Sequence, residues 1–323
     1  MSVIKFIKNW TLPIAMLAGA VSYFVYVNIH ALDHTHAAVN HLISIVQPAL
    51  LFAMLFVSFC KVSPHELRPH AWMLKLLGIQ VIPFVLLGLW IILCPEMPGR
   101  VIIESAMICL ICPTATAASV VTMKLKGDSS IVISYTCIIN IVTALLVSVI
   151  VPFLHETSNP DISFTTSFLI ITGKIFPLLI LPLVFAWGVR FLFPHFHTFI
   201  KSKTNLAFNL WAVSLALAIG VTTKAIVRSD ERVLNLIGIA VASLVCCLLQ
   251  FVIGRLIGRK YGCVIACAQS LGQKNTVFAI WMGYTFMNPV TAMAGGFYSV
   301  WHNAVNSYQL WKERKREAER ELQ

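Results

Sequence analysis

Long apolar runs separated by short polar connections dominate the pattern of this chain. Ten stretches carry few charges, and each is long enough to cross the hydrocarbon core of a bilayer as a helix. The connections hold most of the charged and turn-forming residues and are too short for a soluble domain. We therefore predict an all-α, polytopic membrane protein. Its ten transmembrane helices are predicted at about 11–29, 40–60, 71–94, 101–123, 129–154, 165–193, 205–226, 233–258, 263–287 and 290–311.

Composition and charge support this prediction and indicate an orientation. The chain is 58% hydrophobic and 11% charged, whereas soluble proteins carry about 25% charged residues. The net charge of +11 comes from cations in short connections and a basic tail at 312–323. Membrane topology explains this placement better than nucleic-acid binding does, so we expect a lipid bilayer and no nucleic acid as partner. Of the 24 lysines and arginines, 17 fall on the side of both termini and four on the other. Both termini are therefore expected in the cytoplasm of a cell (plasma or inner) membrane protein.

Two polar interruptions break otherwise apolar stretches. Residues 113–119 interrupt the fourth stretch and residues 270–276 interrupt the ninth. Pro113 removes a backbone donor, and unpaired polar groups at this depth are costly unless they face the protein interior. Each break lies in the fourth span of its half, and halves of five spans enter the membrane from opposite faces. This predicts two inverted five-helix repeats, the arrangement of many transporters. A simple proline kink with back-bonded hydroxyls is the alternative for the first break.

Lys274 makes the second break the more informative one. It lies roughly ten residues from either end of its span, and Glu104 is the deepest acidic residue in any span. An ammonium at that depth needs backbone carbonyls, an anionic ligand or loss of its proton. A lysine that snorkels to the interface is the alternative.

Both interruptions resemble motifs of the bile acid:sodium symporter family. The run from Cys112 to Val120, followed by Lys126-Gly127-Asp128, is similar to that family's fourth helix. Gly272 to Asn275 and Phe297 to Asn303 are similar to its ninth and tenth helices. The resemblance implies alternating access, with broken helices 4 and 9 crossing in a core domain that moves against a panel domain. It implies one membrane unit from residues 1–128 and 129–323, with panel helices at about 11–60 and 165–226 and core helices at about 71–154 and 233–311.

The resemblance also identifies where sodium-coupled members hold their ion, and this chain departs there. Ser270 stands in place of a glutamate and Lys274 in place of a glutamine, so a carboxylate is lost and a cation gained. Our hypothesis is that the Lys274 ammonium occupies the space of a sodium ion, bonding to half-helix carbonyls and to Ser270, Ser119 or Thr136. Transport would then be sodium-independent, by facilitated diffusion, exchange or proton coupling. The positions equivalent to the cation sites are Ala118, Ser119, Val132, Thr136, Ser270, Gln273 and Lys274.

The leading functional prediction is a secondary transporter of a small organic anion. Two positive half-helix ends and Lys274 favour an anion, and the resemblance implies that Thr116 and Asn275 contact it. His302 and Asn303 either line the cavity or pack the tenth helix. The alternative is a non-transporting membrane sensor or receptor that keeps the binding site. The predicted substrate-binding residues are Thr116, Ala117, Ser119, Asn275, His302 and Asn303.

Enzymatic and metal-binding readings have less support. No carboxylate pair, metalloprotease motif or His/Asp/Glu constellation lies at depth, so we predict no enzyme and no cofactor. One histidine cluster, at residues 30–41, has zinc-ligand chemistry. Histidines in surface loops are more often not ligands, so no metal site is predicted.

Overall fold

The chain folds into a bundle of α-helices, as the apolar pattern predicts. A computed structural model describes residues 11–62, 69–156, 163–203 and 206–321. Two short 3₁₀ helices, His30–Thr35 and Pro289–Thr291, accompany the α-helices in these ranges. The helices are α1 (Thr11–Asn28), α2 (His36–Phe59), α3 (Ala71–Leu93), α4 (Arg100–Ile111), α5 (Ala117–Lys124), α6 (Ser129–Glu156), α7 (Phe164–Leu192), α8 (Pro194–Ser202), α9 (Leu206–Val227), α10 (Val233–Tyr261), α11 (Val264–Gly272), α12 (Thr276–Phe286) and α13 (Ala292–Glu321).

Six helical segments of the described chain are long and apolar enough to cross a membrane. They include α3, α7, α9 and α10, most of α6, and α2 together with the 3₁₀ turn before it. The other four predicted crossings fall short for physical reasons. The fourth and ninth are each divided into two short helices, and the first has an apolar part of only Pro13–Asn28. The part of α13 before its charged end is interrupted by polar residues such as His302, Asn303 and Asn306. The membrane character is thus supported, and the ten-crossing layout stays a prediction.

The outer surface of the bundle is apolar, as a lipid-facing surface must be. Leu17 of α1, Leu74 of α3 and Leu234 of α10 each expose two thirds or more of their surface, at 67%, 73% and 75%. Buried polar residues gather inside the bundle instead. This inversion of the soluble pattern fits a protein solvated by hydrocarbon.

Two segments differ from the sequence-based expectation, and some expectations fall outside the described residues. The connection predicted at 194–204 contains α8, which begins at Pro194 and buries His197 and Ile200. The basic tail is helical as far as Glu321, because α13 continues without a break for 30 residues. Three of the 17 cations expected on the side of the termini lie outside the described residues: Lys5, Lys8 and Arg68.

Helices pack in two neighbourhoods. In the first, α9 contacts α1 and α2, and α2 contacts α7. In the second, α10 contacts α4, α11 and α13, while α3 contacts α4 and α6. Small residues permit the closest approaches. A Cβ on Gly19 would lie 2.1 Å from the carbonyl oxygen of Ala216, and one on Gly254 would lie 2.7 Å from that of Cys267.

All nine cysteines are free thiols, and most of them fill the interior. Cys94, just after α3, is exposed, Cys263 is half-buried, and the other seven are buried. The sulfurs of Cys263 and Cys267 lie 3.3 Å apart as a hydrogen-bonding pair. Buried thiols of this kind act as small apolar side chains.

Candidate binding site at the helix crossing

The two interrupted segments meet backbone to backbone in the interior. Thr114, between α4 and α5, pairs with Lys274, between α11 and α12, as an antiparallel bridge. The Ala115 amide donates to the Gln273 carbonyl at 2.9 Å, and the Asn275 amide donates to the Pro113 carbonyl at 2.8 Å. Each break therefore satisfies polar backbone groups that the other break frees. Interrupted helices at this depth require such pairing.

Side chains extend this exchange in a reciprocal pattern. The Thr114 hydroxyl donates to the carbonyl of Ser270, four residues before Lys274. The Lys274 ammonium donates to the carbonyl of Leu110, four residues before Thr114, at 3.1 Å. In unbroken helices these two carbonyls would accept the amides of Lys274 and Thr114. The Thr114 side chain thus replaces the helical hydrogen bond lost at Ser270, and the Lys274 side chain replaces the one lost at Leu110.

Neighbouring helices complete the carbonyl ends of α4 and α11. Thr143 of α6 donates to the Ile111 carbonyl at 3.0 Å, and Tyr298 of α13 donates to the Gly272 carbonyl at 2.8 Å. The Cys112 thiol donates to the carbonyl of Asn275 at 2.8 Å. Carbonyls at a helix end need such partners when water cannot reach them, and here neighbouring side chains supply them.

Lys274 is enclosed and uses a main-chain carbonyl rather than a carboxylate. Its exposed fraction is 1%, and no carboxylate among the described residues forms an ion pair with it. Glu104, the deepest acid, pairs with Arg100 at 2.7 Å instead. An ammonium at the carbonyl end of α4 is favoured by the helix dipole. This enclosure does not fit a snorkelling lysine.

The hydroxyl partners expected for Lys274 are engaged elsewhere. Ser119 donates to the Thr116 carbonyl at 2.9 Å, and Thr136 donates to the Val132 carbonyl at 2.8 Å. Both bonds run back along the hydroxyl's own helix, which is the usual habit of Ser and Thr in apolar helices. The Ser270 hydroxyl is buried without a hydrogen-bond partner among the described residues. The expected contact with a half-helix carbonyl is present, and the expected hydroxyl contacts are not.

Two of the positions that the resemblance identifies with a cation site, Ala118 and Val132, carry apolar side chains. Ala118 of α5, Val132 of α6 and Ala266 of α11 form one buried cluster. A cation such as sodium needs several oxygen ligands, and these three side chains supply none. Gln273, just after α11, has both amide atoms buried and without partners among the described residues.

The predicted substrate residues fall into two groups. Thr116 and Ala117 begin α5, and the Asn275 side chain caps α12 by accepting from the Phe278 amide at 3.2 Å. All three lie at the crossing, and each is less than 10% exposed. The others lie in neighbouring helices: Ser119, half-buried in α5, and His302 and Asn303, both buried in α13.

His302 reaches the crossing through one aromatic ring. Its imidazole lies edge-on against Tyr298 with ring centroids 5.7 Å apart, and Tyr298 bonds to the end of α11. Neither imidazole nitrogen has a hydrogen-bond partner among the described residues. Asn303 donates to the carbonyl of Ser299 at 2.8 Å, leaving its own carbonyl oxygen without a partner among those residues. His302 therefore offers hydrogen-bonding capacity that packing alone does not use.

A cavity of about 490 Å³ lies between α1, α2, α9 and α12, toward the end of the bundle opposite the basic tail. Its walls are largely apolar and include Trp281 and Tyr284. The Tyr23 hydroxyl and the Gln47 amide nitrogen are buried in its lining without partners among the described residues. Lys224 and Arg228 contribute positive charge, and Lys224 donates to Asn40 at 2.6 Å. Trp281 is five residues from Thr276, about 8 Å along α12, so the cavity approaches the crossing.

The histidine cluster forms ion contacts rather than a metal centre. Asp33 lies 3.6 Å from His30 and 3.6 Å from His36. His36 also contacts the Tyr26 hydroxyl at 3.1 Å. Across the described residues, no group of three His, Cys, Asp or Glu side chains has the proximity needed to hold a metal ion.

Sequence reasoning missed several residues that complete the site. Two of them, Tyr298 and Gln250, lie beside the crossing. The Gln250 amide donates to the Cys109 carbonyl and to the Tyr298 hydroxyl, each at 3.2 Å. Gln269 in α11 and Asn306 in α13 lie next to the crossing. A search for amides and tyrosines inside apolar stretches would have found all four, because such residues at depth need partners.

Comparisons with known proteins do not assign the chain to a family. The likeness to bile acid:sodium symporters stays a prediction from the residues of the two breaks and of α13. A scan against protein-family models and a search of curated proteins found no match to this chain.

Proposed function

We propose that this protein is a secondary membrane transporter of a small organic anion that works by alternating access. The reciprocal crossing of the two breaks is the observation that carries the proposal. Two helices interrupted at the same depth, with their positive and negative ends gathered at one point, form a polar site inside an apolar bundle. A purely structural membrane bundle has no need of this arrangement, since unbroken helices satisfy their own backbone.

The proposed architecture is that of the bile acid:sodium symporter family, with ten crossings in two inverted repeats. The pairing of Leu110 with Lys274 and of Ser270 with Thr114 supports it, because inverted repeats would place equivalent residues in reciprocal contacts of this kind. The strong packing of α9 with α1 and α2 is what a panel unit requires, and in this proposal the contacts of α6 with α7 and of α9 with α13 join the panel to the core. In this proposal both termini are cytoplasmic and the protein lies in the plasma or inner membrane.

The charge at the cavity supports an anionic substrate. Lys224 and Arg228 lie at the cavity between α1, α2, α9 and α12, where they can attract an anion before it reaches the crossing. The amide ends of α5 and α12 offer further positive potential. Thr116 and Asn275 are the proposed contacts at the crossing, with Ala117 allowing close approach to the backbone.

We further propose that Lys274 does the work of the sodium ion in this transporter. An ammonium held on the Leu110 carbonyl neutralises the negative end of α4 in place of a bound ion. The cluster of Ala118, Val132 and Ala266 supports the absence of a sodium requirement, since it offers no oxygen ligand. Facilitated, exchange-type and proton-coupled cycles all agree with this arrangement.

Binding and counterflow measurements test the proposal. Purified protein is assayed for binding of carboxylates, sulfonates and neutral analogues, in sodium, lithium or choline salts, and then for counterflow in liposomes. We expect anion-selective binding that is the same in all three salts, together with exchange across the membrane. Preference for neutral or cationic solutes would reject the substrate class, and a specific rise with sodium would reject the role of Lys274. Binding without counterflow would favour a sensor.

Variants locate the anion. Arg228→Gln and Lys224→Gln should each raise the Kd about fivefold, the effect of losing roughly 1 kcal/mol of attraction at a partly exposed site. Lys201→Gln removes one exposed positive charge from α8, outside the residues that line the cavity, and serves as the matched control. Equal effects from all three variants would indicate a general charge effect and not a site.

A further inference from the structure

A file of polar side chains runs between α11 and α13, beside the crossing. Gln269 donates to the Asn306 side chain at 3.0 Å and to the Gln309 side chain at 3.2 Å. Gln273 follows the end of α11, four residues after Gln269, and His302 lies one turn before Asn306 on α13. Because residues four apart share a helix face, His302 continues the file along α13.

The file carries many polar atoms that have no protein partner among the described residues. Gln269, Asn306 and Gln309 each have one buried amide atom in this condition, Gln273 has both of its amide atoms, and His302 has both ring nitrogens. A buried polar atom left unpaired loses the hydrogen bonds that water would give it and is therefore costly. Exchanging the nitrogen and oxygen of an amide side chain does not remove these unpaired atoms, because both amide atoms of Gln273 and both ring nitrogens of His302 are without a partner among the described residues. Seven such atoms together point to a shared partner that bonds to several at once.

Burial along the file decreases toward the end of the bundle that carries the basic tail. His302 and Gln269 are fully buried and Asn306 is 1% exposed, whereas Gln309 is half-buried. The same face of α13 continues to Glu313 and Glu317, whose side chains are 16% and 42% exposed. The file therefore ends at the surface of the bundle.

An ion pair marks that surface end. Lys126, just beyond α5, lies 2.8 Å from a Glu317 oxygen and 3.7 Å from a Glu313 oxygen. Charged groups of this kind lie in water, so bulk solvent reaches the outer end of the file. The cavity that contains Lys224 opens at the opposite end of the bundle and is lined by other helices.

We propose that this file is a water path from the basic-tail side to Gln273 and His302. Water is the ligand that fits, because one molecule can both donate to amide oxygens and accept from amide nitrogens. Through it the imidazole of His302 exchanges protons with solution on that side of the membrane. The path is separate from the route proposed for the organic anion and does not depend on transport.

Hydroxyl-radical footprinting in lipid nanodiscs tests the path. Radicals made from water oxidise side chains that touch water, and mass spectrometry locates them. Wild-type protein should show oxidation of His302, whereas Met282, fully buried in the apolar core, should stay unmodified. Methionine reacts with hydroxyl radicals more readily than histidine does, so with equal access to water Met282 would be the more oxidised of the two. His302 oxidation no higher than that of Met282 would overturn the proposal.

A variant that removes polar side chains from the file tests the route. Gln269→Leu/Asn306→Leu should lower His302 oxidation about fivefold or more, since the path loses the amides that hold its water. Trp311, which is 53% exposed on α13, should be oxidised equally in both proteins and controls for dose. Unchanged His302 oxidation in the variant would mean that water arrives by another route. If the double variant does not fold, Gln309→Leu at the half-buried outer end gives the same comparison.

Discussion

Replacing Thr114 by valine tests the reciprocal crossing directly. The change keeps the shape of the side chain and removes the hydroxyl that donates to the Ser270 carbonyl. Thr114 is fully buried, so water cannot take over the bond. A buried carbonyl without a partner costs about 1–3 kcal/mol, and we expect the free energy of unfolding to fall by that amount.

The assay is unfolding in mixed micelles, followed by the fluorescence of the eight tryptophans. Thr172→Val is the matched control, because the Thr172 hydroxyl in α7 is buried with no hydrogen-bond partner among the described residues. Removing an unpaired hydroxyl should leave stability unchanged or raise it slightly. If Thr114→Val and Thr172→Val agree within about 0.5 kcal/mol, the crossing contributes nothing through this bond and the reasoning fails.

A double-mutant cycle with Lys274→Met then tests reciprocity. The single lysine change has opposing effects. It loses an ammonium–carbonyl bond of about 1.5–3 kcal/mol but also ends the burial of a charge, which costs several kcal/mol. The sign of the stability change in Lys274→Met is therefore uninformative, but the energetic coupling between Lys274→Met and Thr114→Val is informative. We expect a coupling of about 0.5–3 kcal/mol, as found for residues in one network; additive effects would show that the two bonds act independently.

Three further predictions concern packing, pH and ions. Gly254→Ala should destabilise the protein by about 1–3 kcal/mol, because its Cβ would lie 2.7 Å from a carbonyl oxygen, while Gly188→Ala meets no atom within 4 Å and should not; equal thermal stabilities would contradict this. The hydrogen bond from Ser130 lowers the pKa of Asp128 below its usual 3.8. Ser130→Ala should therefore lower the free energy of unfolding by less than about 1 kcal/mol at this exposed site. The loss should be complete above about pH 4 and should vanish as the pH falls through the lowered pKa of Asp128; a loss that persists in acid would contradict this account. Lys274→Gln should abolish anion binding without creating a sodium response, since the carboxylate is still missing, and sodium-stimulated binding in the variant would count against the proposed role of the lysine.

Helix positions were largely predictable because apolar runs end where the chain must leave hydrocarbon. The run expected at 71–94 is α3, Ala71–Leu93, and the run expected at 233–258 is α10, Val233–Tyr261. The helix α8 was missed because nine residues with mixed polarity carry no membrane signal. The breaks were predictable from Pro113 and from the polar residues around Lys274, which conflict with their apolar surroundings.

The partners within the site were less predictable. Lys274 bonds to the carbonyl of Leu110, and a backbone carbonyl has no signature in the sequence. The hydroxyls of Ser119 and Thr136 were expected to meet the lysine, but each bonds to its own helix. That outcome follows from local helix geometry, so it could have been anticipated where the carbonyl contact could not.

The distribution of thiols gives the unaltered protein an internal reporter of its sidedness. Cys94 alone among the nine is freely exposed, directly after α3, whereas Cys263 at the other end of the bundle is half-buried against Cys267. A membrane-impermeant maleimide added outside intact cells should therefore modify one residue quickly if the proposed orientation is correct. The same reagent added to inverted vesicles should react slowly. Topology can thus be read from the native chain, without removing or adding a single cysteine.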